Sequence, residues 1–113
     1  MKTGKIVGSL ISGTSWALVH TFVLGESGIV KVTLVSEDAS SVNVQVRHVT
    51  NGDGSTNAQK DTILPLLALT NLPVHIENLG VVGKDEIWVK PSVTNKVTVS
   101  INTTGLEYRR GGQ

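Results

Sequence analysis

The chain has 113 residues, with ten Lys and Arg against nine Asp and Glu and a formal net charge of +1. These charges are scattered along the sequence, which argues against a nucleic-acid partner, because such proteins usually present a basic surplus or stripe. Cysteine is absent, so disulfides, thiolate catalysis and cysteine-ligated zinc are excluded. A chain of this length forms one domain with its own core.

Alternation of aliphatic and polar residues predicts the secondary structure. Residues 42–48 read Val-Asn-Val-Gln-Val-Arg-His, and residues 97–101 read Val-Thr-Val-Ser-Ile. A period of two places the aliphatic side chains on one face of a strand. Apolar residues at helical spacing do not extend over any stretch of a dozen residues. The predicted strands cover residues 5–11, 15–24, 29–36, 41–49, 62–69, 74–79, 86–90 and 96–102.

Most connectors between these strands are short and rich in Gly, Asn, Asp, Ser or Pro. Such connectors cannot hold crossover helices, so neighbouring strands are expected to be antiparallel. The sequence predicts an all-β fold, a single antiparallel two-sheet sandwich of about eight strands, either immunoglobulin-like or jelly-roll. Because alternation stops after Asn102, we assign residues 1–102 to the sandwich and residues 103–113 to a C-terminal extension.

The longest connector, residues 51–61, is polar and contains glycine. Asn51, Asp53 and Ser55 stand at alternate positions, as in a calcium-binding loop. Thr56 and Thr62, however, occupy the positions where an EF-hand loop needs Gly and Glu. We therefore predict an exposed loop without a metal. The apolar run at residues 6–11 is too short to span a bilayer, and no membrane partner is expected.

Catalytic chemistry has little support in the sequence. His20, His48 and His75 each fall inside a predicted strand, without the spacing of metal ligands. His20 and His48 share the phase of apolar neighbours, which favours satisfied rings in the core or at an interface, whereas His75 is expected at solvent or at a subunit contact. No nucleophile elbow, phosphate loop or paired-carboxylate motif is present. We predict a protein that is not an enzyme, with no catalytic residue, cofactor or metal.

Two segments, residues 15–24 and 63–69, are apolar on both strand faces. A sandwich strand has only one inner face, so the other face is expected to meet another subunit. This reasoning selects Val19, Val23, Leu64 and Leu67 as interface candidates.

Aromatic residues and the tail supply the remaining interface candidates. Trp16 shares the phase of Leu18 and Phe22 and is expected in the core. Trp88 alternates with Ile87 and Val89, so it is either an exposed interface anchor or part of a strand covered on both faces. Tyr108, Arg109 and Arg110 combine a ring with two guanidinium groups and are expected to clamp an adjacent subunit.

A series of short sequence phrases runs between residues 4 and 107. The phrases are Gly8-Ser9-Leu10, Val32-Thr33-Leu34-Val35, Asp38-Ala39-Ser40, residues 42–46, residues 61–65, Glu86-Ile87-Trp88-Val89, residues 97–101 and Gly105-Leu106-Glu107. Their order resembles that of small structural proteins of tailed-phage virions. The tail beyond Glu107 departs from the pattern.

The resemblance implies a non-enzymatic virion protein made in the host cytoplasm, a capsid decoration (cement) protein that bridges neighbouring capsid subunits. Its expected partners are the major capsid protein and further copies of itself, as a trimer. A tail, collar or fibre-attachment subunit is one alternative. A glycan-binding or adhesion module is another, although the four aromatic residues, Trp16, Phe22, Trp88 and Tyr108, offer few rings for stacking.

Overall fold

The computed structural model describes residues 2–37, 42–52, 61–63, 67–69 and 72–108. All regular structure in these residues is β-strand, and none of them belongs to a helix long and apolar enough to cross a membrane. The strands are β1 (Lys2–Ile11), β2 (Ala17–Thr21), β3 (Glu26–Ser36), β4 (Val42–Val49), β5 (Asp61–Ile63), β6 (Leu67–Leu69), β7 (Val74–Val82), β8 (Glu86–Pro91) and β9 (Val97–Tyr108).

The strands form two antiparallel sheets, as the sequence predicts. The first sheet has the order β1-β9-β3-β7, and the second has the order β2-β8-β4-β5, with β6 also paired to β4. If β5 and β6 are counted as one interrupted strand, the chain is a long antiparallel hairpin of four strand pairs, β1 with β9, β2 with β8, β3 with β7, and β4 with β5 and β6. The rolled hairpin adds the pairings of β3 with β9 and β4 with β8. This strand order is that of an eight-stranded jelly roll, one of the two topologies left open by the sequence.

The core lies between the sheets and is built from the alternating aliphatic residues. Val32, Leu34, Val44, Val46 and Val99 are fully buried, each on the inner phase of its strand. Polar residues at the intervening positions face outward, and this alternation fixes the register, because a slip by one residue would exchange the two faces.

β9 extends beyond the predicted end of the sandwich at Asn102. Residues Glu107 and Tyr108 pair with Ser27 and Glu26 of β3, and Leu106 is 1% exposed in the core. β9 thus continues past residue 102, where the sequence predicts the sandwich to end. A bulge at Thr104 explains the difference, because it moves the inward phase from odd to even residues and ends the visible alternation.

The connectors gather at two ends of the sandwich. The turns after β2, β4 and β7 meet at one end, where Gly52 N donates to Lys84 O and Lys84 N donates to Phe22 O. At the other end, Asn95 N donates to Ile11 O and Glu37 N donates to Lys96 O. The first of these ends carries the candidate site.

Candidate functional site

Exposed aliphatic side chains are concentrated where the β2–β3 and β7–β8 turns meet. Val23 is 52% exposed, Leu24 is 73% exposed and Val82 is 57% exposed. The two turns touch, because a methyl group added at Gly83 would lie 2.7 Å from Leu24 Cα and 2.7 Å from Val23 O. We call the surface of Val23, Leu24 and Val82 the apolar tip.

Backbone hydrogen bonds lock the two turns of the apolar tip to each other. Phe22 N donates to Asp85 O at 2.9 Å, and Lys84 N donates back to Phe22 O at 2.8 Å. The Phe22 side chain is fully buried and anchors this arrangement in the core. Lys84 has a φ of 72°, and the approach of Gly83 to Val23 and Leu24 leaves no room for a side chain. The apolar tip is thus held in one conformation.

A buried carboxylate fixes the base of the tip. Asp85 is 2% exposed, and its Oδ2 accepts hydrogen bonds from Val82 N at 3.0 Å and from His48 Nε2 at 2.9 Å. Its Oδ1 accepts from Asn51 N at 3.2 Å. One side chain therefore connects β4, the turn after β4 and the end of β7, and it explains why His48 is buried with a satisfied ring.

Two further buried carboxylates support neighbouring parts of the same end. Glu26 Oε1 accepts from Val23 N at 2.9 Å and fixes the first residue of the tip. Glu86 Oε1 accepts from Trp88 Nε1 at 3.0 Å and packs against Gly52. Each of these carboxylates receives an N–H donor, which is what a buried charged group requires. Among the described residues, no three His, Cys, Asp or Glu side chains are grouped so as to hold a metal.

The predicted interface residues separate into different environments. Val23 lies on the apolar tip, whereas Val19 is half-buried and packs against the core. Trp88 is 9% exposed, so it is no exposed anchor and its strand is covered on both faces. Tyr108 ends β9 opposite Glu26. Leu67 lies in β6, and Leu64, Arg109 and Arg110 lie outside the described residues.

Trp16 is not in the core. It is half-buried beside β2, and the Arg47 guanidinium lies 4.2 Å from the centroid of its ring. A bulge at Val19 explains the difference, because it places Leu18 opposite Trp88 on the outer face and His20 opposite Ile87 on the inner face. The His20 ring then packs edge-on against Phe22 at 4.7 Å. The third histidine, His75, is exposed and hydrogen-bonded to Thr33.

Leu24 and Val82 are the tip residues that the sequence does not single out. The sequence predicts a connector at residues 80–85, so no pattern selects Val82 as an interface residue. Leu24 ends an apolar run in which no pattern distinguishes one apolar residue from the others. The paired acids Asp85 and Glu86 at the start of a strand were an available signal, because acidic side chains in turns accept backbone N–H groups.

Comparison with known proteins returns no relative. No protein family, no curated protein and no solved structure matches this chain. Function is therefore argued from the geometry of the apolar tip.

Proposed function

We propose that this protein is a non-enzymatic structural subunit of a phage particle, a capsid decoration protein that docks on the shell through the apolar tip. The observation that carries the proposal is a rigid cluster of exposed aliphatic side chains at one end of the sandwich. Scattered apolar residues need no explanation, but adjacent ones held by buried polar groups are typical of a docking surface.

Rigidity supports this interpretation energetically. Association loses the freedom of every loop and side chain that becomes ordered at an interface. The turns at the apolar tip are already ordered by four hydrogen bonds, from Phe22 N, Lys84 N, Val23 N and Val82 N. A partner that covers the tip thus gains apolar burial without ordering the backbone. Full burial of a Leu or Val side chain contributes about 1.5–3 kcal/mol.

The architecture is compatible with this role, because jelly rolls occur in viral capsid proteins as well as in lectins. Fold alone does not assign function, so it adds to the proposal without carrying it. In a lattice, each copy contributes a modest contact, and bridging between neighbouring subunits makes the sum hard to dissociate. The end of β9 at Tyr108 lies opposite Glu26, the residue whose side chain accepts a hydrogen bond from Val23 N of the tip.

The chain offers a matched pair of leucines for the test. Leu24 belongs to the apolar tip, at the end of the sandwich where β7 finishes, and is 73% exposed. Leu72 lies in the connector before β7, at the opposite end, and is 70% exposed. Leu24→Ser and Leu72→Ser therefore remove the same side chain from opposite ends of the sandwich, with similar exposure and similar consequences for folding.

Binding would be measured by co-sedimentation with particles from which the protein has been deleted. We expect wild-type protein and the Leu72→Ser variant to bind equally, and Leu24→Ser to lower the affinity about tenfold or more. Equal binding of both variants would overturn docking through the tip. Imaging of labelled particles tests the location, since label on the tail instead of the shell would favour the tail, collar or fibre-attachment role.

A further inference from the structure

The outer face of the first sheet contains a depression where two bulges meet. On one side of β3, Lys31 lies between the regular pairs Val30–Leu79 and Val32–Ile76, so it faces two residues of β7, Glu77 and Asn78. On the other side, the register with β9 shifts between Ile29 and Val30. A bulge disrupts the ladder locally and bends its strand, and bulges often re-aim side chains next to functional sites.

A cavity of about 230 Å³ occupies this position. Its outward lining includes Lys31 with its cross-strand neighbour Asn102, and Glu77 and Asn78 from β7. A second cavity of about 410 Å³ continues the first, because Ile29 and Thr104 line both. Together they form a groove across β7, β3 and β9 with the half-exposed Ile29 in the middle.

The groove is fixed by a buried hydroxyl group and not by mobile loops. Thr103 is 7% exposed, and its Oγ1 donates to Ile29 O at 2.7 Å while accepting from Gly105 N at 3.1 Å. These bonds connect β9 to β3 at the point where the register between them shifts. Asn78 holds a φ of 58°, a conformation that Asn tolerates better than most residues. The groove is therefore preorganised.

We infer that this groove binds a neutral oligosaccharide. Carboxylate oxygens of Glu77 accept hydrogen bonds from hydroxyl groups, the Lys31 ammonium donates them, and the amides of Asn78 and Asn102 do both. The Lys31 and Glu77 charges offset each other, so neither an anionic nor a cationic ligand is favoured. Ile29 supplies an apolar surface for the C–H face of a sugar ring, with polar groups on either side.

The affinity is expected to be weak. An aliphatic side chain takes the place of the aromatic ring on which sugars usually stack, so the dissociation constant falls in the millimolar range for a single chain. Many copies on one particle would raise the effective affinity by multivalency. The inference is independent of the proposed function, because it concerns a different face and is tested on the isolated protein.

The experiment is an NMR titration of the isotope-labelled protein with maltotriose, cellotriose and chitotriose at millimolar concentrations. The expected result with at least one of them is a set of amide shifts confined to residues 29–31, 77–78 and 102–105. Glu77→Gln and Asn102→Ala alter exposed or half-exposed side chains and are expected to fold normally while weakening binding about tenfold. Thr98→Ala, on the same face of β9 but outside the groove, is the matched control and retains wild-type affinity.

Three results would overturn the inference. They are no shifts with any of the three trisaccharides, shifts located outside the groove, or wild-type affinity in both groove variants. A loss of affinity in Thr98→Ala equal to that in Asn102→Ala would count against the groove as well, because it would show binding to the whole sheet face.

Discussion

At the scale of single residues, Asp85 connects several parts of the chain. Its carboxylate accepts N–H groups from three parts of the chain, and its own backbone bonds to Phe22. These hydrogen bonds compensate for the burial of the carboxylate, and removal of the side chain leaves several donors without an acceptor.

We predict that Asp85→Ala lowers the free energy of unfolding by about 3–5 kcal/mol, because it leaves the buried His48 ring and two part-buried backbone N–H groups without their acceptor. Urea denaturation measures the change. Glu37→Ala removes an exposed acid and is the control, with an expected change within about 0.5 kcal/mol. A similar small change for both variants would contradict the structural role of Asp85.

Glycine positions give a second test at this scale. A Cβ at Gly52 would lie 2.3 Å from Glu86 Cδ, whereas a Cβ at Gly80 would meet nothing within 4 Å. We predict that Gly52→Ala costs about 1–3 kcal/mol, because the buried Glu86 must move away from Trp88 Nε1. Gly80→Ala is expected to change stability by less than about 0.5 kcal/mol. Thermal unfolding of the two variants checks both values, and equal melting temperatures would show that Glu86 is free to relax.

At the scale of elements, alternation predicts where strands lie but not where their phase changes. Each of the eight predicted strands overlaps an observed strand, although the segment predicted at residues 62–69 contains both β5 and β6. The errors lie at bulges. A bulge at Thr104 interrupts the alternation near the end of β9, and a bulge at Asn78 interrupts it before β7 continues to Val82. A bulge at Val19 exchanges the faces assigned to Trp16 and Leu18. A bulge depends on the partner strand, so no pattern within one strand announces it.

The candidate site was less accessible to prediction for the same reason. Val23 can be selected from its apolar segment, but its contact with the β7–β8 turn depends on the rolled topology, which brings residues 22–25 and 82–85 together. The groove likewise needs Lys31, Glu77 and Asn102 on three adjacent strands that are distant in sequence.

The length of β9 can be tested directly. A chain that ends at Asn102 loses Leu106 from the core and the last part of the ladder with β3, so we predict that it fails to fold or is several kcal/mol less stable. A chain that ends at Tyr108 is expected to match the wild type. Leu106→Ala in the full chain is expected to cost about 2–5 kcal/mol. Circular dichroism and urea denaturation measure these effects, and normal stability of the chain ending at Asn102 would restore the original boundary.

At the scale of the whole molecule, two valines distinguish folding from assembly. Val19 packs against the core and Val23 is 52% exposed on the apolar tip. We predict that Val19→Asp lowers the free energy of unfolding by roughly 2 kcal/mol or more, because a carboxylate becomes buried without a partner. Val23→Asp is expected to leave stability unchanged and to weaken binding to the particle in the co-sedimentation experiment.

Self-association of the free chain, for which a trimer is expected, is measured by sedimentation velocity at micromolar concentration. A wild-type protein that remains a monomer under these conditions would contradict it.

The position of β9 also governs when the protein can fold during synthesis. β9 lies between β1 and β3, so the first strand made has no partner in its sheet until the last strand arrives. A nascent chain still attached to the ribosome, with β9 inside the exit tunnel, holds β1 and one edge of β3 unpaired, and open strand edges invite aggregation. The first sheet is therefore completed only once β9 has left the tunnel, and the rate of translation through β9 sets how long these edges stay open.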